Sequence, residues 1–189
     1  MSQPPLPIVL IGPMATGKST LGAALAKALK CEQFPMDGLR WYYYFKAGYS
    51  LRTAESLEFR ERLAYWKPFE VISVESVVKD FRGVIDFGAG HGHFERPEHL
   101  ERVKQALAGL PVIFILPDED LEKSLSICNQ RYAERKGIAL TELSENELIT
   151  NREFVYSDSF RALATRTFYT KQESPEVSVQ RLIQLMGWA

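Results

Sequence analysis

The chain has 189 residues, 46% of them hydrophobic, which is enough to bury a core without a disulfide or metal staple and suits a single domain over 1–189. Lys and Arg number 23 against 24 Asp and Glu, and a net charge of −1 lacks the basic footprint of a nucleic-acid binder. The two cysteines, Cys31 and Cys128, stand outside any CxxC spacing and read as small buried residues; the Pro-rich start Met1–Pro7 has no basic, apolar leader and no run approaches a membrane span, so a cytoplasmic protein without a membrane partner is expected.

Pro7–Ile11 is a short apolar run stopped by Gly12, followed by Ser19–Lys30, where Leu21, Leu25, Ala28 and Leu29 share one helical face. Glu32–Met36 reads as a second strand, Arg52–Leu63 and Phe69–Asp80 as two helices, and Val84–Phe87 as a third strand closed by Gly88. Pro97 opens a helix over Glu98–Leu107, Val112–Leu116 is a fourth strand, and a polar helix runs from Asp118 to about Arg135. Glu145–Ala164 reads as one helix and Thr165–Thr170 as the last strand. Ser174-Pro175-Glu176 then caps a terminal helix with Val179, Leu182, Ile183 and Met186 on one face. Strands alternating with helices predict a three-layer α/β fold around a five-stranded parallel sheet, with ligands at the carboxyl ends of the strands.

Gly12-Pro13-Met14-Ala15-Thr16-Gly17-Lys18-Ser19 fits G-x-x-x-x-G-K-[ST] and lies where a buried strand turns into a helix. Its glycines permit a backbone that points successive N–H groups at phosphate oxygens, reinforced by the helix N-terminus. Lys18 would reach the β- and γ-phosphates of ATP or a related nucleotide, Ser19 would place its hydroxyl on Mg²⁺, and Thr20 is next in line along the cradle. Two acids, Asp37 and Asp86, follow apolar strand-like runs and should lie at the same sheet edge. Asp86 ends Val84-Ile85-Asp86, a Walker-B-like pattern suited to holding a magnesium-bound water; at this level the two acids could exchange roles, or one could merely cap a loop.

Trp41-Tyr42-Tyr43-Tyr44-Phe45, with Tyr49 and Trp66 nearby, is either a stacking wall for a ring-bearing substrate or a small subdomain packed by its own aromatics, the second being favoured because consecutive helical residues cannot all face one pocket. His91 and His93 read as loop histidines near substrate rather than a zinc site, since no further ligand lies at metal spacing, and His99 reads as a surface residue.

Taken in order, these segments resemble the shikimate kinases and related small P-loop metabolite kinases. Gly12–Leu29, with Met14 and Thr20-Leu21-Gly22, is similar to that family's opening strand, loop and helix; Phe34–Asp37 to its aspartate-bearing second strand; Glu58-Phe59-Arg60-Glu61 to its substrate-arginine helix. Gly88-Ala89-Gly90 resembles the glycine-rich turn after strand three, Arg131 and Arg152 the lid and substrate arginines, and Ala164–Thr170 with Ser174-Pro175-Glu176 the closing strand and adenine-side loop. The chain departs from the pattern in carrying one aspartate, Asp37, where two are usual, in Ala89 within the glycine triplet, in the extra acid Asp86, and in lacking the arginine-proline lid signature after Arg131.

The resemblance implies a nucleoside monophosphate kinase-like fold with an acceptor-binding segment at about 38–80 and a lid at about 131–146. It implies Asp37 at the acceptor hydroxyl, Arg60, Arg152 and the Gly88-Ala89-Gly90 turn at the acceptor, and Arg131 closing over the triphosphate with Arg135 and Lys136 nearby. An arginine fork suits carboxylate or phosphate, so an anionic acceptor is expected. The expected activity is ATP- and Mg²⁺-dependent phosphoryl transfer to a hydroxyl of a small anionic metabolite by a monomer or weak homodimer. A nucleoside or nucleotide kinase, and an NTP-binding regulator or slow NTPase, stand as alternatives.

Overall fold

The computed structural model describes residues 6–188, so most of the Met1–Pro7 reading lies outside the described residues. Five strands form one parallel sheet in the order β2-β3-β1-β4-β5: β1 is Ile8–Ile11, β2 Glu32–Pro35, β3 Gly83–Asp86, β4 Val112–Leu116 and β5 Arg166–Tyr169. The three central strands are buried along their whole length, which is why they read as continuous apolar runs, while β2 and β5 take the edges and carry exposed polar residues.

Side chains alternate across the sheet and divide the core in two. Ile8, Leu10, Val84, Ile113 and Ile115 pack beneath helices α1 (Lys18–Leu29) and α10 (Pro175–Met186), through Leu21, Leu25, Val179 and Leu182. Val9, Ile11, Ile85, Val112 and Phe114 face the opposite layer, with Val71, Val74 and Val77 among its core residues. Ser174 caps α10 as expected, its hydroxyl accepting from the Val177 N–H.

Between β2 and β3 lie α2 (Met36–Leu39), α3 (Trp41–Lys46), α4 (Leu51–Glu55) and α5 (Phe59–Asp80). The expected pair of helices is therefore placed differently. The break falls at 56–58, where a reciprocal Glu58/Glu61 capping box starts α5, and the helix then runs unbroken through Pro68. An interior proline costs about 3 kcal/mol; burial of Val71, Val74 and Val77 on the sheet outweighs it, at roughly 1.5–3 kcal/mol per side chain.

The aromatic run on α3 splits as a helix requires. Tyr43 and Tyr44 are buried and Tyr42 and Phe45 exposed, with Tyr44 and Tyr49 forming a small cluster against Trp41, Tyr65, Trp66 and Phe69.

Two helices complete the sheet's crossovers, α6 (Pro97–Ala106) before β4 and α7 (Leu121–Lys136) after it, the latter capped by the Asp120 carboxylate. The expected single helix over Glu145–Ala164 is two, α8 (Glu145–Val155) and α9 (Asp158–Leu163), because the chain turns at Ser157. Its hydroxyl lies 2.8 Å from Nδ1 of His93, and past it Phe160 stacks on Phe114 of β4. Cys128 is buried and its thiol is pushed up to about 11 by that burial, whereas Cys31, expected inside, is only half-buried. No helix among the described residues is long and apolar enough to cross a membrane.

Candidate active site

The loop from β1 to α1 sits at the carboxyl edge of the central strand. Gly12 has φ +148°, and a β-carbon there would stand 2.6 Å from the Ile115 carbonyl oxygen of β4, so only glycine lets the loop leave the sheet. Gly17, also at positive φ, is the N-cap of α1 and leads directly into Lys18. The Thr16 hydroxyl donates to the Pro13 carbonyl at 3.3 Å, and the Lys18 ammonium donates to the carbonyls of Gly12 at 2.9 Å and Pro13 at 2.6 Å, arching over the loop's concave side. Burial lowers the Lys18 pKa, opposed by the nearby charges of Asp37 and Asp86.

Ser19, in the first turn of α1, donates to Asp86 Oδ2 at 2.5 Å. Asp86 ends β3, directly beside Leu10 of β1 in the sheet register, so strand pairing brings this carboxylate to the loop. Its other oxygen accepts from Gln33 of β2 at 2.7 Å, and the same Gln33 amide donates to the Ser19 carbonyl at 2.9 Å. Burial raises the Asp86 pKa, while the bonds from Ser19 and Gln33 and the charge of Lys18 pull it back. Hard oxygen donors converging beside a phosphate-type loop fit Mg²⁺. Among the described residues there is no cluster of three or more His, Cys, Asp or Glu that could hold a metal ion.

One cavity of about 1040 Å³ joins this loop to the segment between β2 and β3. Met14, Ala15, Thr16, Gly17, Lys18, Ser19 and Thr20 line it at one end, with Gly12 and Pro13 shaping the arch behind them. Asp37, Arg60, Ala89, Gly90 and Arg131 line it too, as does Arg135. Thr170, Glu173, Pro175 and Ser178 border it on the β5 side. Asp37 rises from the first turn of α2, and a β-carbon on Gly88 would lie 2.0 Å from its Oδ1. Gly88 thus contributes by leaving room for the carboxylate rather than by lining the cavity.

Other expected residues are differently engaged. Arg60 forms a bidentate pair with Glu153 at 3.0 and 3.2 Å, so its fork is already occupied. Arg152, expected at the acceptor, does not line the cavity: it pairs with Glu122 at 2.8 Å and lies over the Tyr156 ring on the exposed side of α8. His99, expected at the surface, is half-buried and lines the cavity beside His93.

Sequence reasoning passed over Gln33, Arg40, Lys67 and Glu70. Arg40 donates to the Asp37 carboxylate at 2.9 Å from the next helical turn, an i,i+3 spacing that was readable. Lys67 donates to Glu70 at 2.8 Å and to the carbonyls of Gly90 at 3.1 Å and His93 at 2.9 Å, tying α5 to the turn after β3. The Tyr44 hydroxyl meets His91 Nε2 at 3.2 Å. Burial, with Arg40 and Lys67 nearby, holds the His91 pKa well below the usual histidine range. No local pattern in the chain announces the Lys67 and His91 contacts.

Sequence and structure comparisons bear on the same residues. A family model described as shikimate kinase matches residues 14–187. Among solved structures, a shikimate kinase from Acinetobacter baumannii in complex with shikimate is 23% identical, with 95% of this chain and 91% of that one covered and a TM-score of 0.64. A shikimate kinase from Bacteroides thetaiotaomicron is 24% identical, covering 95% and 97% at a TM-score of 0.61, and a gluconokinase from Sinorhizobium meliloti is 15% identical, covering 98% of both chains at 0.56. No curated protein sequence matches. With its sheet order, its P-loop and a family match across most of its length, the chain is a P-loop kinase, a phosphotransferase with an alcohol group as acceptor, and belongs to the shikimate kinase family.

Proposed function

We propose that the protein transfers the γ-phosphoryl group of ATP to a hydroxyl of a small polyhydroxy carboxylic acid. The observation that carries this reading is the shared cavity: Lys18, Ser19 and Asp37 all line it, with Asp37 near enough for its charge to act on the Lys18 ammonium, and Gly90 and Arg60 line it as well. Loop amides and Lys18 bind the triphosphate, and Arg131 and Arg135 of α7 balance charge as the lid at about 131–146 closes. Asp37 takes the proton of the acceptor hydroxyl while its oxygen bonds to phosphorus and the β–γ bridging oxygen departs with ADP. Ser19 and Asp86 would hold Mg²⁺, which when bound neutralises phosphate charge.

A carboxylic acid acceptor is supported by the cationic groups around the cavity and by the shikimate-bound neighbour. The aromatic run gives the nucleoside-kinase alternative little surface, because most of its rings pack on one another and only Tyr44 and Trp66 of the cluster reach the cavity. The test is ADP release from ATP and Mg²⁺ across a panel of hydroxy acids and nucleosides, with Lys18→Met as control. Lys18→Met should lower acceptor-stimulated turnover by about 100-fold or more with the fold retained. Nucleosides alone stimulating turnover, or a wild-type protein that takes up no nucleotide at millimolar concentration, would overturn the reading.

A further inference from the structure

We infer that Arg40 is the acceptor-specificity residue, reading the anionic group of the acceptor while Asp37 engages its hydroxyl. The inference rests on the kinase reading above. Five arginines line the cavity: Arg131 and Arg135 belong to α7 and are assigned above to the triphosphate, Arg96 is largely exposed at the start of α6 and 3.9 Å from Glu98, and Arg60 and Arg40 remain as candidates to read an acceptor's anionic group. Arg60 has both terminal nitrogens committed to Glu153, and Arg152 is paired with Glu122 outside the cavity. Arg40 lines the cavity, and its hydrogen bonds, to the Asp37 carboxylate and carbonyl at 2.9 Å, both leave from Nη1. Among the described residues Nε and Nη2 donate to no protein acceptor, so part of the fork is left for a ligand.

The guanidinium is also held still. Its carbon lies 4.8 Å from the centre of the Trp41 ring, 5.9 Å from Trp66 and 6.0 Å from Tyr44, and the side chain is 19% exposed. Aromatic faces on several sides fix the plane of the fork without using its donors. A planar carboxylate meeting those donors would sit beside Asp37, leaving a ring or chain hydroxyl within reach of that acid, whereas a plain polyol would leave the donors unmet. This gives the aromatic run a function its self-packing does not explain: it is the mount for a cation.

The bland account is that Arg40 only neutralises Asp37. The two accounts separate by comparing an acid with its uncharged ester. With shikimate and methyl shikimate as probes, Arg40→Met should raise KM for the acid at least about tenfold more than KM for the ester, because both lose the Arg40 hold on Asp37 and only the acid loses a charge-assisted contact of its own. Arg40→Lys should recover part of the acid preference, because it restores charge without the fork. Tryptophan fluorescence titration with the same two compounds gives the binding difference without turnover. Equal losses for acid and ester would overturn the inference and leave Arg40 as a partner of Asp37 alone. If the wild-type protein binds ATP and phosphorylates neither compound, nor the pair D-gluconate and sorbitol, the anionic-acceptor reading falls and this inference with it. If either acid is phosphorylated and Arg40→Met leaves the preference of that acid over its uncharged partner intact, only the role of Arg40 falls.

Discussion

Asp37 is 70% exposed yet confined, because the Gly88 backbone lies where a methyl group would strike its Oδ1 and Arg40 holds that same oxygen from above. Gly88 has φ −60° and ψ 153°, a conformation alanine adopts freely, so Gly88→Ala should fold, pushing the carboxylate aside and pressing on the His91 ring, whose Nδ1 would lie 3.0 Å from the new β-carbon. We expect kcat to fall by about tenfold or more and Tm to stay within about 2 °C; a variant with native kcat would show that the Asp37 position is immaterial. Asp86 and Gln33 supply a second local test. Asp86→Asn should raise the Mg²⁺ concentration needed for nucleotide binding by about tenfold, and Gln33→Leu should shift it in the same direction by freeing the Asp86 carboxylate. Calorimetry at fixed ATP measures both, and an unchanged Mg²⁺ midpoint in Asp86→Asn would remove that carboxylate from the metal site. The P-loop and both acids were legible because their chemistry is bound to local spacing. Gln33 and the bonds of Lys67 to the turn after β3 were not, since those partners lie distant in sequence, although the Lys67–Glu70 pair itself has a local i,i+3 spacing.

Among the elements, α5 and the α8–α9 pair mark where periodicity misleads. Pro68 suggests a break that the structure does not make, because a valine stripe one turn further on is buried against the sheet and keeps the helix intact. Conversely, Glu145–Ala164 carries no proline or glycine, and its turn is explained by contacts distant in sequence: Ser157 with His93, Ser159 with the Phe94 backbone and Phe160 with Phe114. Both outcomes are tertiary decisions that local propensity cannot record. The five strands and α1, α6, α7 and α10 were readable to within a few residues, since each is a clear apolar run or is bounded by glycine, proline or a capping side chain. Pro68→Ala restores a helical N–H and removes the clash of the proline ring with the preceding turn. It should raise stability by about 1–2 kcal/mol, less than the full cost of an interior proline because the unfolded chain also gains freedom. A lower Tm in differential scanning calorimetry would mean that the ring makes packing contacts worth more than the restored bond.

For the molecule as a whole, pH dependence follows from the buried histidines. His91 has its pKa lowered in the folded state chiefly by burial, so on acidification the unfolded chain takes up that proton first. Stability should therefore begin to fall as pH drops below about 6.5 and keep falling toward the folded pKa, with His93 acting in the same direction. Glu147 acts in the same direction at lower pH: Lys136 and the Ser144 backbone N–H hold its carboxyl down at about 2, so its contribution is present above the ordinary glutamate range and is lost as pH falls from there toward that value. Tm should be lower at pH 5 than at pH 7.5, and His91→Gln, which keeps a polar partner for Tyr44, should flatten that slope; an equal slope in the variant would assign it elsewhere. The arch of Lys18 bears on the catalytic cycle. Its ammonium is a strut between two carbonyls of its own loop, which leaves one of its three N–H donors to meet a phosphate oxygen. On the proposed reading the strut would then stay in place as nucleotide binds and product departs, and the loop would keep its curvature from one turnover to the next.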